Sequence, residues 1–391
     1  MNERIHRNLR LVPVYQAFSY GYAVIPFLLF LAEDRGLSLA EFASLQSVYY
    51  ATGLVLEVPT GVFSDRFGRR LALLLAAVSQ VAGFVMIATA SGFAEFAFAH
   101  FLLAAGQAFM SGTTTAILYD SLCALGRESD YLQFESRSIL ARLGGTSAAF
   151  LIGGGVAQWQ SIEATAWLSA GFSFCAIPVL AWVAEPPRHA DPKEKPAVLS
   201  LVIKSIKTIL ASRELVWACV LFAALFAALR IVFYFYTPSF VRAGIHSYIL
   251  IGIIYFILNL VAAGSAHATA RIGSRASESA VLLTLLTVLS ISFAIQGIFT
   301  SIWVILACSL LQQIPFGIHF PIVASFVNRR VSSDRRATVL SCFSLAGRAF
   351  FAMIFSSIGA LAESSFSIAM LVSAAGVAIF VILLYRFRPV R

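Results

Sequence analysis

The residues with most to say about chemistry are ionisable groups inside long apolar stretches: Glu57, His100, Asp120, Arg230, His267, His319 and Arg348. A charge in hydrocarbon is costly, so such groups face a cavity or a partner, and they mark where function is sought. Arg230 and Arg348 lie far from either end of their stretches, with no second-half carboxylate at comparable depth. A guanidinium so placed suits an anionic ligand or a carbonyl-rich cage. Backbone carbonyls, the hydroxyls of Tyr234 or Ser344, or a first-half carboxylate would satisfy it as well, and the sequence leaves both open. Glu57, shielded from water, could load and release a proton. It also stands one turn before Gly61, which favours membership of a charge cluster around Arg69 and Arg70. His100 and His319 are further candidates for proton coupling, or neutral hydrogen-bonding groups.

Helical spacing sorts the polar residues into stripes. Tyr15, Ser19 and Tyr22 align with Pro26; Gln46, Tyr50, Gly53 and Glu57 align; so do His100, Gln107, Ser111 and Thr114. Later come Arg230, Tyr234 and Thr237, then Gln312, Phe316 and His319, then Ser341, Ser344 and Arg348. The expected substrate contacts are Tyr15, Tyr22, Gln107, Arg230, Tyr234, Gln312 and Arg348. The run Phe233, Tyr234, Phe235, Tyr236 reads more readily as an interfacial aromatic belt than as a substrate surface. Cys123, Cys175, Cys219, Cys308 and Cys342 are scattered singly, so neither a disulfide nor a metal is indicated. There is no phosphate-binding loop and no nucleophile paired with a base, so no enzymatic activity and no cofactor are expected.

The most specific pattern is Gly61, Asp65, Arg66, Gly68, Arg69 and Arg70. Glycines permit a tight turn and close helix approach, while an acid beside several arginines builds a charge cluster at a membrane surface. Such a cluster can latch one conformation. Topogenesis alone would explain the arginines, but not the acid or the glycines. A worn copy occurs at Ala266, Ala270, Arg271, Gly273 and Arg275, pointing to an internal repeat.

These residues need elements to hold them. The chain has 391 residues, 59% hydrophobic and 12% charged, with a mean hydropathy of +0.85. That excludes an ordinary water-soluble domain and makes the lipid bilayer the solvent. Twelve apolar spans are predicted, at 11–31, 44–63, 71–89, 96–118, 139–158, 164–183, 216–240, 248–268, 280–299, 302–327, 338–361 and 367–385. Arg4, Arg7 and Arg10 precede a run too long for a secretory leader, so 11–31 reads as the first span. A segment rich in Pro and Lys divides six spans from six, giving halves 1–184 and 215–391 joined by a linker, 185–214. The net charge of +9 needs no nucleic acid. With both termini cytoplasmic, every Lys and Arg except Arg35, Arg242, Arg230 and Arg348 falls on the cytoplasmic side or at helix ends entering it. Minimal outer loops without glycosylation acceptors lean toward a bacterial cytoplasmic (inner) membrane.

The Gly61–Arg70 motif and the six-plus-six topology resemble the major facilitator superfamily, most nearly its bacterial efflux-type members. The resemblance implies an all-α integral membrane fold of two pseudo-symmetric six-helix halves, with spans three, six, nine and twelve facing lipid. It also assigns an acid at the inner end of the fourth span to the latch, here Asp120, with Glu135 and Arg137 able to extend it. His100 stands where many members carry an arginine, and the glycines from Gly144 to Gly155 lack the proline of many antiporters. The resemblance leads to an expectation of secondary active transport of a small amphipathic or organic-anionic molecule by alternating access, as proton-coupled efflux from a monomer. Uptake of an anionic metabolite or iron chelate, and a non-transporting receptor or scaffold, are the alternatives.

Overall fold

In the computed structural model the described residues are 2–187, 198–273, 277–332 and 335–388. They are helical throughout: α1 (Asn2–Ser19), α2 (Leu28–Asp34), α3 (Leu39–Phe67), α4 (Arg69–Thr89), α5 (Phe93–Met110), α6 (Thr113–Ala124), α7 (Tyr131–Trp159), α8 (Ile162–Trp182), α9 (Val198–Ala211), α10 (Arg213–Arg242), α11 (Tyr248–Gly273), α12 (Glu278–Ile298), α13 (Ile302–Asn328), α14 (Arg336–Ser364) and α15 (Phe366–Arg386). Ten stretches are long and apolar enough to cross a membrane on length and composition alone. The other two of the twelve spans fall short for physical reasons. The first is broken into α1 and α2, and the second, α3, carries Gln46, Ser47, Tyr49, Tyr50 and Glu57.

Packing divides the chain into residues 1–37, 51–198 and 247–256 on one side and 38–50, 199–246 and 257–391 on the other. The expected boundary lies in the linker, but two stretches exchange membership, 38–50 of α3 and 247–256 of α11. Inside each unit the helix pairing repeats. In the first, α4 packs on α5 and α8, and α1 on α7; in the second, α12 packs on α13 and α15, and α10 on α14. This is the internal repeat expressed as contacts. The linker differs from expectation in that 198–211 is helix α9. Its prolines Pro192 and Pro196 lie outside the described residues, as do Lys193 and Lys195.

The core of the first unit is made by Leu9, Val12 and Tyr15 of α1, Leu73 and Ala76 of α4, Ile117 and Leu122 of α6, and Leu180 of α8. Tight approach depends on small residues, since without a hydrophobic drive between helices packing contacts must supply the attraction. A Cβ on Gly145 of α7 would meet the Ala17 carbonyl of α1. Outward faces stay apolar, as with Trp167 and Phe174 on α8 and Ile379 and Ile382 on α15.

Candidate functional site

The charged motif sits where α3 turns into α4. Gly68 makes the turn with φ +115°, a backbone state that disfavours a side chain. The turn leaves the first amides of α4 unpaired, and Glu185 fills the gap. Its Oε1 accepts from Arg69 N and its Oε2 from Arg70 N, each at 2.8 Å, so a carboxylate rests on a helix N-terminus. Arg69 Nη2 pairs with Asp120 Oδ2 at 2.8 Å, both side chains largely buried at 16% and 15% exposure. Arg70 donates to the Ala181 carbonyl at 3.3 Å. Asp65 and Arg66 are exposed, and both are engaged by neighbours. Gly61 is exposed with open space at its Cβ position, so the close approach expected of it is not used within its unit. Glu135 accepts from Thr115 at 3.3 Å and Arg137 lies over Phe134.

A second site forms in the same unit where two spans lose helical order. The first span breaks after Ser19 and resumes at a short turn where Pro26, with no N–H to donate, sits at the start, while Phe172 packs close to Gly21. Side chains from neighbouring helices take up the freed backbone groups: Thr146 of α7 donates to the Tyr20 carbonyl at 2.9 Å, and Val24 N donates to Ser169 of α8 at 3.0 Å. The fourth span breaks between α5 and α6 at Gly112, φ +70°. Near these breaks a polar chain runs from α4 to the first span and α5. Gln80 Nε2 donates to Tyr22 OH (2.8 Å), Tyr22 OH to Gln107 Oε1 (3.3 Å), and Gln107 Nε2 to Tyr20 OH (3.1 Å). Among the described residues Gln80 Oε1 is buried without a hydrogen-bond partner. At the α5 break Ser111 donates to Glu57 Oε1 at 3.0 Å.

The break corrects one expectation. Tyr15 and Tyr22 share a face only on a continuous helix, and α1 stops between them. Tyr15 is fully buried and donates to the Leu73 carbonyl at 3.0 Å, which cements α1 to α4. His100 is likewise buried, its Nδ1 2.8 Å from the Phe96 carbonyl of its own helix.

In the second unit Arg230 stands on α10, roughly 25 Å along a helix of about 45 Å. Its guanidinium lies over three rings, Phe226 at 5.2 Å, Phe316 at 5.6 Å and Tyr50 at 5.8 Å. Among the described residues it makes no hydrogen bond and no ion pair. Tyr50 continues into a cluster with Tyr234, Phe351 and Phe355. The aromatic run is therefore not an exposed belt: Phe235 and Tyr236 are buried, and Tyr234 lies among rings. His319, one turn from Phe316, sets its Nδ1 2.9 Å from that residue's carbonyl. Arg348 is half-buried in α14 and engaged by neighbours. Gly347 beside it packs on the Phe226 ring that Arg230 also covers. Gln312 turns the other way, fully buried with Nε2 3.4 Å from Gln296 Oε1 of α12, and does not join the Arg230 cluster.

Several participants carry no local signal in the sequence. Glu185 reads as the start of a linker, and Gln80 sits in a span expected to face lipid. The sequence copy of the motif lies at 266–275, where Arg275 and the side chains of His267, Ala270 and Arg271 lie outside the described residues. Among the described residues of the second unit, ion pairs gather at Glu278, the buried first residue of α12. It binds Arg329 at 3.3 Å, Arg330 at 3.4 Å and Ser325 at 2.6 Å, and Arg330 also pairs with Glu214. The signs are inverted relative to the first unit: a base on α4 meets an acid on α6, whereas an acid on α12 meets bases at the end of α13. Among the described residues no group of His, Cys, Asp and Glu is placed to hold a metal.

The sequence matches the family described as Major Facilitator Superfamily over residues 14–349. No curated protein matches in sequence. Among solved structures the fold is similar to the nucleoside transporter NupG, with a TM-score of 0.82 and 12% identity over 99% of this chain and 100% of that one. It is also similar to a bacterial homologue of the human lysosomal transporter Spinster (TM-score 0.76, 15% identity, 98% and 96% covered). A POT family transporter in complex with 5-aminolevulinic acid gives 0.76 at 14% identity, with 98% and 95% covered. At such identities the likeness is one of fold.

Proposed function

We propose that this chain, which belongs to the major facilitator superfamily, moves a small organic anion with an aromatic or planar body by alternating access. It is a transporter and not an enzyme. The observation that carries the anion reading is Arg230. A guanidinium deep in a spanning helix is costly without a counter-charge, and here its contacts are three ring faces. Rings over a guanidinium leave its in-plane N–H groups directed elsewhere, and those groups match a carboxylate or phosphate in bidentate fashion. Tyr50, Tyr234 and Phe316 offer the faces on which a planar substrate body would rest. Separately, within the first unit, Tyr22 and Gln107, joined by Tyr20 and Gln80, form a polar cluster at the broken first and fourth spans, and broken spans are where transporters bind substrate. One similar fold holds 5-aminolevulinic acid, a small carboxylic acid.

Export coupled to protons is the direction we favour, on the likeness of the Gly61–Arg70 motif to that of efflux members. Glu57 is the proposed proton carrier, since it sits at the α5 break beside Ser111. Arg69 and Asp120, braced by Glu185, form the latch that holds the cytoplasmic end closed in one state. The distribution of basic residues supports cytoplasmic termini in a bacterial cytoplasmic membrane.

The test is flux in proteoliposomes under an imposed pH gradient, comparing aromatic carboxylates with lipophilic cations for wild type, Arg230→Lys and Arg230→Ala. Carboxylate flux that falls partly in the lysine variant and is lost in the alanine variant supports the proposal. Flux of cations alone, indifferent to Arg230, refutes the anion reading. Absence of any flux from folded protein favours a receptor or scaffold.

A further inference from the structure

Helix α9 is unlike every spanning helix of the chain. At 14 residues it is about 21 Å long, short of a hydrocarbon core of about 30 Å. Yet it carries a continuous exposed apolar stripe. Ile203 is 45% exposed, Ile206 44% and Leu210 70%, at the spacing i, i+3, i+7 that puts them on one face. A second face is sealed against the protein: Ser205 and Ile209 are buried, and Thr208 accepts from Arg335 at 3.4 Å. With about 100° per residue the buried face lies roughly 110° from the stripe on one side. On the other side come Lys204 and Lys207, both exposed. Neither makes an ion pair among the described residues, and the helix contains no acidic residue.

A helix with one face docked, one apolar face open and lysines beside the open face has the form of an element lying in the membrane interface. The apolar stripe reaches the boundary of the acyl chains, and lysine stems extend along it to hold their ammonium groups among headgroups. Cations there are drawn to anionic lipid. We propose that α9 is an acidic-phospholipid contact that lies on the bilayer surface. A lipid surface satisfies both features of the helix at once. A soluble phosphate offers the charge but nothing for the apolar stripe, and a bilayer is the one apolar phase in which the neighbouring spans already sit.

The proposal is independent of what the chain transports, and its test needs no substrate. Full-length protein in detergent is titrated with short-chain phosphatidylglycerol or phosphatidylcholine, and apparent affinity is read from the shift in thermal unfolding. Wild type is expected to prefer phosphatidylglycerol, and Lys204→Gln/Lys207→Gln to lose about fivefold of that preference per lysine, since each contributes about one interfacial charge interaction. Lys204→Arg/Lys207→Arg keeps the preference, and Leu210→Asp weakens binding of both lipids. All three are surface changes, and an unchanged lipid-free unfolding midpoint verifies the fold. Equal affinity of wild type for the two lipids overturns the proposal. So does a glutamine variant with wild-type preference, or full suppression of the preference by millimolar inorganic phosphate.

Discussion

Removing the Asp120 carboxylate while keeping its shape, as Asp120→Asn, tests the energetics of the motif end. An exposed ion pair contributes about 0.2–1 kcal/mol, whereas leaving one member of a fully buried pair alone costs about 3–5 kcal/mol. Arg69 and Asp120 lie between these limits, at 16% and 15% exposure. The guanidinium has little water to fall back on, since its Nη1 is buried without a hydrogen-bond partner among the described residues. The cost of Asp120→Asn is therefore about 2 kcal/mol, with the amide oxygen still accepting one hydrogen bond. For a chain of this size that lowers the unfolding midpoint by roughly 2 °C. The assay is a double-mutant cycle of Asp120→Asn and Arg69→Gln, followed by thermal or detergent unfolding of purified protein. A coupling energy of about 1–2 kcal/mol is expected, and it should persist at about 1 M salt because screening acts weakly on buried pairs. A coupling below about 0.3 kcal/mol, or one that salt abolishes, would refute the reasoning and leave the arginines as topogenic charge.

Glu278→Gln is expected to cost more than Asp120→Asn, about 3 kcal/mol, because one nearly buried carboxylate serves two arginines and a serine; equal unfolding midpoints would count against this ranking. Glu185→Ala removes acceptors from two helix-start amides and should destabilise by about 1 kcal/mol, while Glu185→Gln costs less, as read in the same unfolding assay. Gly145→Ala drives a methyl into the Ala17 carbonyl, and a loss of about 1–3 kcal/mol is expected, visible as a lowered unfolding midpoint. Glu57→Gln should abolish flux driven by a pH gradient while leaving counterflow exchange intact; unchanged gradient-driven flux would move the proton site elsewhere.

The apolar period is legible enough to place twelve spans, and the Gly61–Arg70 pattern enough to find a charged helix junction. Local rules fail where the helix itself gives way. The stripe through Tyr15, Ser19 and Tyr22 assumes unbroken turns, but α1 ends at Ser19, so Tyr15 packs and Tyr22 joins Gln80 and Gln107. Pro26 hints at a break, but the hydroxyls of Thr146 and Ser169 that make it tolerable come from residues more than a hundred positions away. Among the described residues the second unit carries ion pairs of reversed sign at Glu278, which no residue-by-residue comparison with the first motif would match.

Composition and short-range period suffice for a membrane solvent, helices of spanning length, and the identity of the charges within them. They suffice because hydrocarbon forces every backbone group into local hydrogen bonds, leaving helix length and apolar content as the readable variables. How each charge is satisfied depends on the packed molecule. Arg69 meets Asp120, Glu57 meets Ser111, Glu185 meets the start of α4, and Arg230 meets aromatic faces. A guanidinium carries the same charge in every such setting. Its surroundings, brought together from distant turns by packing of small residues, decide whether it pairs with a carboxylate or lies over aromatic rings.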